Sequence, residues 1–230
     1  MSELLGDSLF FGVVVSVLAY QVGMVIKKKW KLALFNPLLI SIVLVMAVLL
    51  IFHVDYETYN EGAKYLSYLL TPATVCLAIP LYEQLEQLKK NIKAIAAGIV
   101  SGVLTSLFSV LVLALAFGLT HEEYVTLLPK SITTAIGMGV SEELGGIVTI
   151  TVAVIIVTGV LGNIIAELVC KIFRIHEPVA RGIAIGSASH AIGTARALEM
   201  GEVEGAMSSL SIAVSGLLTV IGASVFAMFL

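Results

Sequence analysis

The sequence predicts an all-α polytopic membrane protein made of two structural repeats, inverted relative to each other, each with a broken or re-entrant helix. Three observations lead there. Hydrophobic residues fill 59% of the 230 positions, charged residues fill 13%, and the mean hydropathy is +1.05. A soluble domain is nearer half apolar and a quarter charged, so the bilayer is the expected solvent. Five apolar runs approach the roughly 20 residues that a crossing helix needs. The chain also repeats itself: VSGVLT at residues 100–105 and VSGLLT at 214–219 agree at five of six positions, an offset of 114 residues.

The elements follow in chain order. Residues 9–26 form the first expected span, which stops at KKKWK, residues 27–31. The preceding MSELLGDSLF lacks the basic region of a cleaved leader, so this run reads as a retained membrane helix. Residues 37–52 form the second span, opened by Asn36 as N-cap and Pro37 at the first helical position. A polar loop, HVDYETYNEGAKY, comes next. Residues 66–82 are apolar, but Pro72 and Pro80 each remove a helix hydrogen bond. In YEQLEQLKKNIK, residues 82–93, the spacing of Leu85, Leu88 and Ile92 predicts an amphipathic helix lying in the membrane interface.

Residues 94–119 carry no charge and form a third span. LPKSITTAIGMGVSEELGG, residues 128–146, has only eleven uncharged residues between Lys130 and Glu142. Residues 144–170 form the next span, with Glu167 near its end, and residues 210–230 the last. Between them, GSASHAIGTARALEMGEVEGAMSSL at 186–210 is small and polar.

One membrane domain is expected over residues 1–230, with repeat 1 about 1–119 and repeat 2 about 120–230. Under the offset of 114, the segment holding Pro72 and Pro80 falls on residues 186–194. If each interrupted segment is re-entrant, each half crosses three times and the second half is inverted. The positive-inside rule then puts residues 27–31, Lys130, Lys171, Arg174 and Arg181 in the cytoplasm and leaves Lys89, Lys90 and Lys93 outside.

Irregular backbone at membrane depth is tolerated where protein buries it or it lines a wet cavity, which makes the interrupted segments the candidate sites. In residues 186–199, Gly193 and Thr194 open a half-helix whose N–H groups and positive dipole end favour an anion. Ser187 and Ser189 supply hydroxyls, His190 an anion partner or proton relay, and Arg196 a two-pronged match to a carboxylate. The plain alternative is helix packing through small residues, with Arg196 paired to Glu199. Lys130, Ser131, Thr133 and Thr134 form a second polar helix start; its alternative is a lysine snorkelling to the interface. Thr71 and Thr74 are the first-half counterparts.

The net charge of −3 and the lack of a basic face exclude a nucleic-acid partner. Cys76 and Cys170 read as small hydrophobes, with no disulfide framework, metal site or cofactor. No nucleotide loop or nucleophilic triad is present, which argues against an enzyme.

LPKSITTAIGMGVSEELGGI, ARGIAIGSASHAIGTARALE, EGAMSSLSI, NPLLI and TPATVCLAIPLYEQL resemble the LrgB/CidB family of bacterial membrane proteins across essentially the whole chain. One departure is the lack of a second proline after the threonine pair at 133–134. The resemblance implies an antiholin-like or holin-like regulator of murein hydrolase export and autolysis, beside an LrgA/CidA-like membrane partner. Related plastid proteins imply instead glycolate/glycerate transport, and bacterial members pyruvate uptake. The expectation is an alternating-access, elevator-like transporter of small organic anions in the bacterial cytoplasmic membrane, assembled as a homo-oligomer, with a dimer favoured. The antiholin-like regulator is the alternative.

Overall fold

The structure, a computed structural model, describes residues 10–30, 35–76 and 78–230. The chain divides into two compact units, Met1–Cys76 and Leu77–Leu230.

The first unit holds α1 (Phe11–Trp30), α2 (Pro37–Phe52), α3 (Tyr56–Ser67) and α4 (Leu70–Cys76). The Asn36 side chain accepts from the Leu38 amide at 2.8 Å and Pro37 takes the first helical position, the start that the sequence predicts. Pro37 packs on Gly23, where a Cβ would stand 2.9 Å from its Cα, so α2 begins against α1. At the other end of α1, Ser16 shares a 2.7 Å hydrogen bond with the Tyr59 hydroxyl of α3.

The second unit holds α5 (Ala78–Glu83), α6 (Leu85–Phe117), α7 (His121–Leu127), α8 (Thr134–Glu143), α9 (Val148–Ile172), α10 (Pro178–Met200) and α11 (Glu202–Phe226). Among the described residues, four helices are long and apolar enough to cross a membrane: α1, α6, α9 and α11 with its 3-10 extension to Phe229. Residues 85–93, expected as an amphipathic helix lying in the interface, continue without interruption into the apolar part of α6. That helix has three faces. Ile95, Ile99, Val103, Leu107 and Val110 are buried in the core. Val100, Leu104 and Phe108 are exposed, as lipid-facing residues are. The third face carries hydroxyls.

Two hairpins enter the second unit from opposite ends. The first is α7 and α8. A capping box opens α7: the Thr120 amide donates to Glu123 Oε2 at 2.8 Å, and the Glu123 amide donates back to Thr120 Oγ1. These bonds hold the exposed Glu123 carboxyl below its ordinary range. Near the open end of this hairpin, Thr151 Oγ1 of α9 lies 2.9 Å from the Thr126 carbonyl and 2.7 Å from Ser141 Oγ. Gly137 packs deeper, on Ile155.

The second hairpin is α10 itself. Ser189 (φ −134°, ψ 15°) and His190 (φ 42°, ψ −146°) leave helical geometry and divide it into limbs α10a (178–188) and α10b (191–200). The limbs run in opposite directions. On α10a, Gly182 faces Glu204 and Met207, and Gly186 faces Ser208 and Ser211, so the numbers rise together along α11. On α10b, Thr194 meets Ser208 at 2.7 Å and Leu198 meets Gly205, so they fall. Ile185 of the first limb packs with Ala197 of the second. Each limb is about 16 Å long, half the thickness of a bilayer core.

The course of the helices corrects the expected inversion. Gly98 and Gly102 of α6 face Ile183 and Ser187 of α10a, so α6 rises with α10a, and α11 rises with it too. At the far end, Tyr124 just beyond α6 donates to the Phe226 carbonyl at 3.0 Å. Helices α6 and α11, equivalent under the offset of 114, therefore run the same way, whereas inversion requires opposite courses. The reason is that residues 123–140, the counterpart of the first span under that offset, fold back as the hairpin of α7 and α8. The basic residues move accordingly. Because Gly98 faces Ile183 and Gly102 faces Ser187, the starts of α6 and α10 lie at one end, and Lys89, Lys90 and Lys93 share it with Lys171, Arg174 and Arg181. Lys130 does not lie at that end.

Candidate functional site

The two hairpin tips reach the middle of α9 from opposite ends. Gly137 of the first packs on Ile155, and His190 Nε2 of the second donates to the Ile155 carbonyl at 2.9 Å. Both hairpins place a half-helix N-terminus at the centre of the unit: Thr133 caps α8 with extended backbone and no side-chain bond, and α10b starts after His190. Half-helix N-termini carry positive potential and unpaired amides.

Beside the tips lies a cleft of about 670 Å³ between α6, α10a and the turn before α8. Lys130, Ser131 and Ser187 line it, drawn from both hairpins. Lys130 Nζ donates to Ser131 Oγ at 3.1 Å, and Ser131 Oγ lies 3.0 Å from Ser106 Oγ. No ion pair to Lys130 is present among the described residues. A cation with hydroxyl neighbours suits a small anion.

The third face of α6 adds Ser101, Thr105, Ser106 and Ser109 to the lining. Sequence reasoning missed these residues and read the span as uniformly apolar. The signal was their spacing of three and four, which puts them on one side of a helix whose other sides are aliphatic.

The remaining predicted residues are placed as follows. His190 is 2% exposed and turns away from the cleft, against Gly159 of α9. Its backbone sits where few residues other than glycine do, at a cost of about 1–3 kcal/mol. Ser189 packs on Gly162, and Thr194 Oγ1 donates to the His190 carbonyl at 2.9 Å and accepts from Ser208. Gly193 faces Ser189 and Ile185, with no room for a side chain between the limbs. Thr133 and Thr134 begin α8, and Glu142 and Glu143 near its end are exposed. The side chains of Thr71 and Thr74 lie outside the described residues.

Arg196 stands apart from the cleft. It pairs with Glu199, as its register allows, and with Glu167 of α9 at 2.6 Å, a partner the sequence order conceals. Glu167 and Glu199 also line a second cavity of about 400 Å³ at the foot of the hairpin, with Lys171, His176 and Arg181. Arg181 pairs there with Glu204 at 3.7 Å. A substrate carboxylate at Arg196 has to displace two resident ones.

Comparison with known proteins gives a family. The model of the LrgB-like family matches residues 16–229. The chain is 40% identical over 222 residues to the Antiholin-like protein LrgB of Bacillus cereus (strain B4264), covering 96% of each. It matches the protein of the same name from Bacillus anthracis (strain CDC 684 / NRRL 3495) to the same extent. No solved structure matches.

Proposed function

The chain belongs to the LrgB-like family, and from that premise we propose that it carries small monocarboxylates, of the pyruvate, lactate, glycolate and glycerate class, across a bacterial cytoplasmic membrane. The observation that carries this reading is the convergence of Lys130, Ser131, Ser106 and Ser187 on one cleft between two hairpins of opposite entry. Lys130 is the cation assigned to the carboxylate, the hydroxyls hold its polar substituents, and Arg196 joins only if substrate replaces Glu167. Discontinuous helices framing a central site are the usual construction of alternating-access carriers.

Two observations support a two-fold repeat without inversion. Shifted by 114 residues, α2 begins at 151 against Val148 of α9, and α6 begins at 199 against Glu202 of α11. The shared course of α6 and α11 fits that relation. Against it, α1 is one continuous helix where the second half has α7 and α8.

The relatives' name, antiholin-like, favours a second reading over the first: a regulator of murein hydrolase export and autolysis that acts beside an LrgA-like partner. Liposomes holding the purified chain alone decide between them. Saturable uptake and counterflow of labelled pyruvate or glycolate, with no leak of a larger dye, is expected of a carrier. Silence without a partner supports the regulator, and leak of the dye indicates a pore.

A further inference from the structure

We infer that His190 is a positioning residue: its ring fastens the tip of the second hairpin to α9 and so sets where the α10a wall of the cleft stands. That wall is a single stripe, Val179, Ile183 and Ser187, with Ala180, Ala184 and Ala188 beside it. Opposite it, α6 presents Gly98 and Gly102 to Ile183 and Ser187, while Ile95 and Ile99 of α6 share the buried core with Val179 and Ile183. On its other side α11 packs along α10a at Gly182 and Gly186, and α9 holds its tip.

The fixture is on the far side of the tip. His190 Nε2–H donates to the Ile155 carbonyl, and Gly159 leaves room for the ring where a Cβ would stand 2.6 Å from Cε1. Gly162 seats Ser189 beside it. A carbonyl acceptor requires the proton on Nε2, so the bond holds in both the neutral and the charged ring. A glycine would adopt the backbone of residue 190 without strain. What a histidine adds at φ 42° is the ring and its hold on α9. The foot of the hairpin is tied separately, by Arg196 to Glu167 and by Arg181 to Glu204. The bearing of this on substrate rests on the cleft being the site proposed above; the mechanical effect does not.

Cross-linking of the full-length chain tests it, with Cys76 and Cys170 replaced by alanine. A Cβ at Gly102 would lie 3.2 Å from Ser187 Cβ, near disulfide reach, so Gly102→Cys with Ser187→Cys reports the tip. Gly98→Cys with Ile183→Cys reports one turn nearer the foot. In His190→Leu, oxidation of the tip pair is expected to slow about two- to tenfold, the shift that one lost hydrogen bond allows. The pair nearer the foot should slow less. His190→Gln, whose amide reaches the same carbonyl, should recover most of the rate. Three results overturn the inference: an unchanged tip rate in the leucine variant, equal slowing at both pairs, or no tip cross-link with His190 intact. No substrate is present in this assay, so its outcome is separate from that of the liposome experiment.

Discussion

Ser106 and Ser131 stand 3.0 Å apart, oxygen to oxygen, and join the middle of α6 to the tip of the first hairpin. Because Lys130 donates to Ser131, the Ser131 proton is free to point at Ser106 or at a bound anion. Lys130→Gln is therefore expected to keep the fold and to lose about 1.5–3 kcal/mol of binding, the worth of a charged hydrogen bond. That is roughly a tenfold to hundredfold fall in affinity. Pyruvate binding by the detergent-purified protein measures it, with melting temperature as the folding control. Affinity equal to the parent's in a well-folded variant removes Lys130 from the site.

Arg196 should behave differently. Its partners Glu167 and Glu199 are half-exposed, so the pairing contributes at most about 1 kcal/mol. Arg196→Gln is expected to lower the melting temperature slightly and to leave affinity within about twofold, well inside the value of one charged contact. A large loss of affinity without loss of stability would instead return the carboxylate to Arg196.

The buried hydroxyls that tie the first hairpin to α9 make a stability prediction. Thr151 is fully buried and its hydroxyl meets both Thr126 and Ser141. Thr151→Val keeps the volume and strands those partners, at about 1–3 kcal/mol. Thermal unfolding in detergent reads it, and Thr151→Ser should recover most of the loss.

Glycine positions separate close packing from mere flexibility. A Cβ at Gly186 would stand 2.8 Å from the Ser208 Cα, backbone that has no room to give. Gly186→Ala should cost about 1–3 kcal/mol by overpacking. At Gly139 nothing lies within 4 Å of such a Cβ, and Gly139→Ala in the same assay should be neutral or stabilising.

Topology gives a fifth prediction. With Lys89 and Arg174 at one end of the second unit and His121 at the other, cysteines at the first two positions should label from the cytoplasm and one at His121 from outside. Labelling of positions 89 and 174 from opposite faces would restore the inverted arrangement.

The polar interruptions at 128–146 and 186–210 were legible because acids, bases and glycines lower the hydropathy of a whole window. The stripe on α6 was not, because serine and threonine barely change that average. They also bond back to their own helix, as Ser101 does to the Gly98 carbonyl at 2.9 Å and Ser109 to the Ser106 carbonyl at 2.8 Å. Reversal of direction left less trace still. Residues 121–143 are long enough to cross, and only Pro129 and the glycines near 145 mark them as two limbs. The partner of Arg196 on α9 lies 29 residues away in sequence, and no local pattern reveals it.

Helix α6 is 33 residues long, about 50 Å, against a hydrocarbon layer of about 30 Å. Its uncharged part from Ala94 fits that layer with modest tilt, and its first turns, with Lys89, Lys90 and Lys93, extend among the headgroups. Anionic lipid attracts each lysine there by about 1 kcal/mol. No proline or non-helical residue interrupts the helix between those lysines and Ser106. The helix is therefore one rod, and a tilt imposed at its lysine end would carry one wall of the cleft with it.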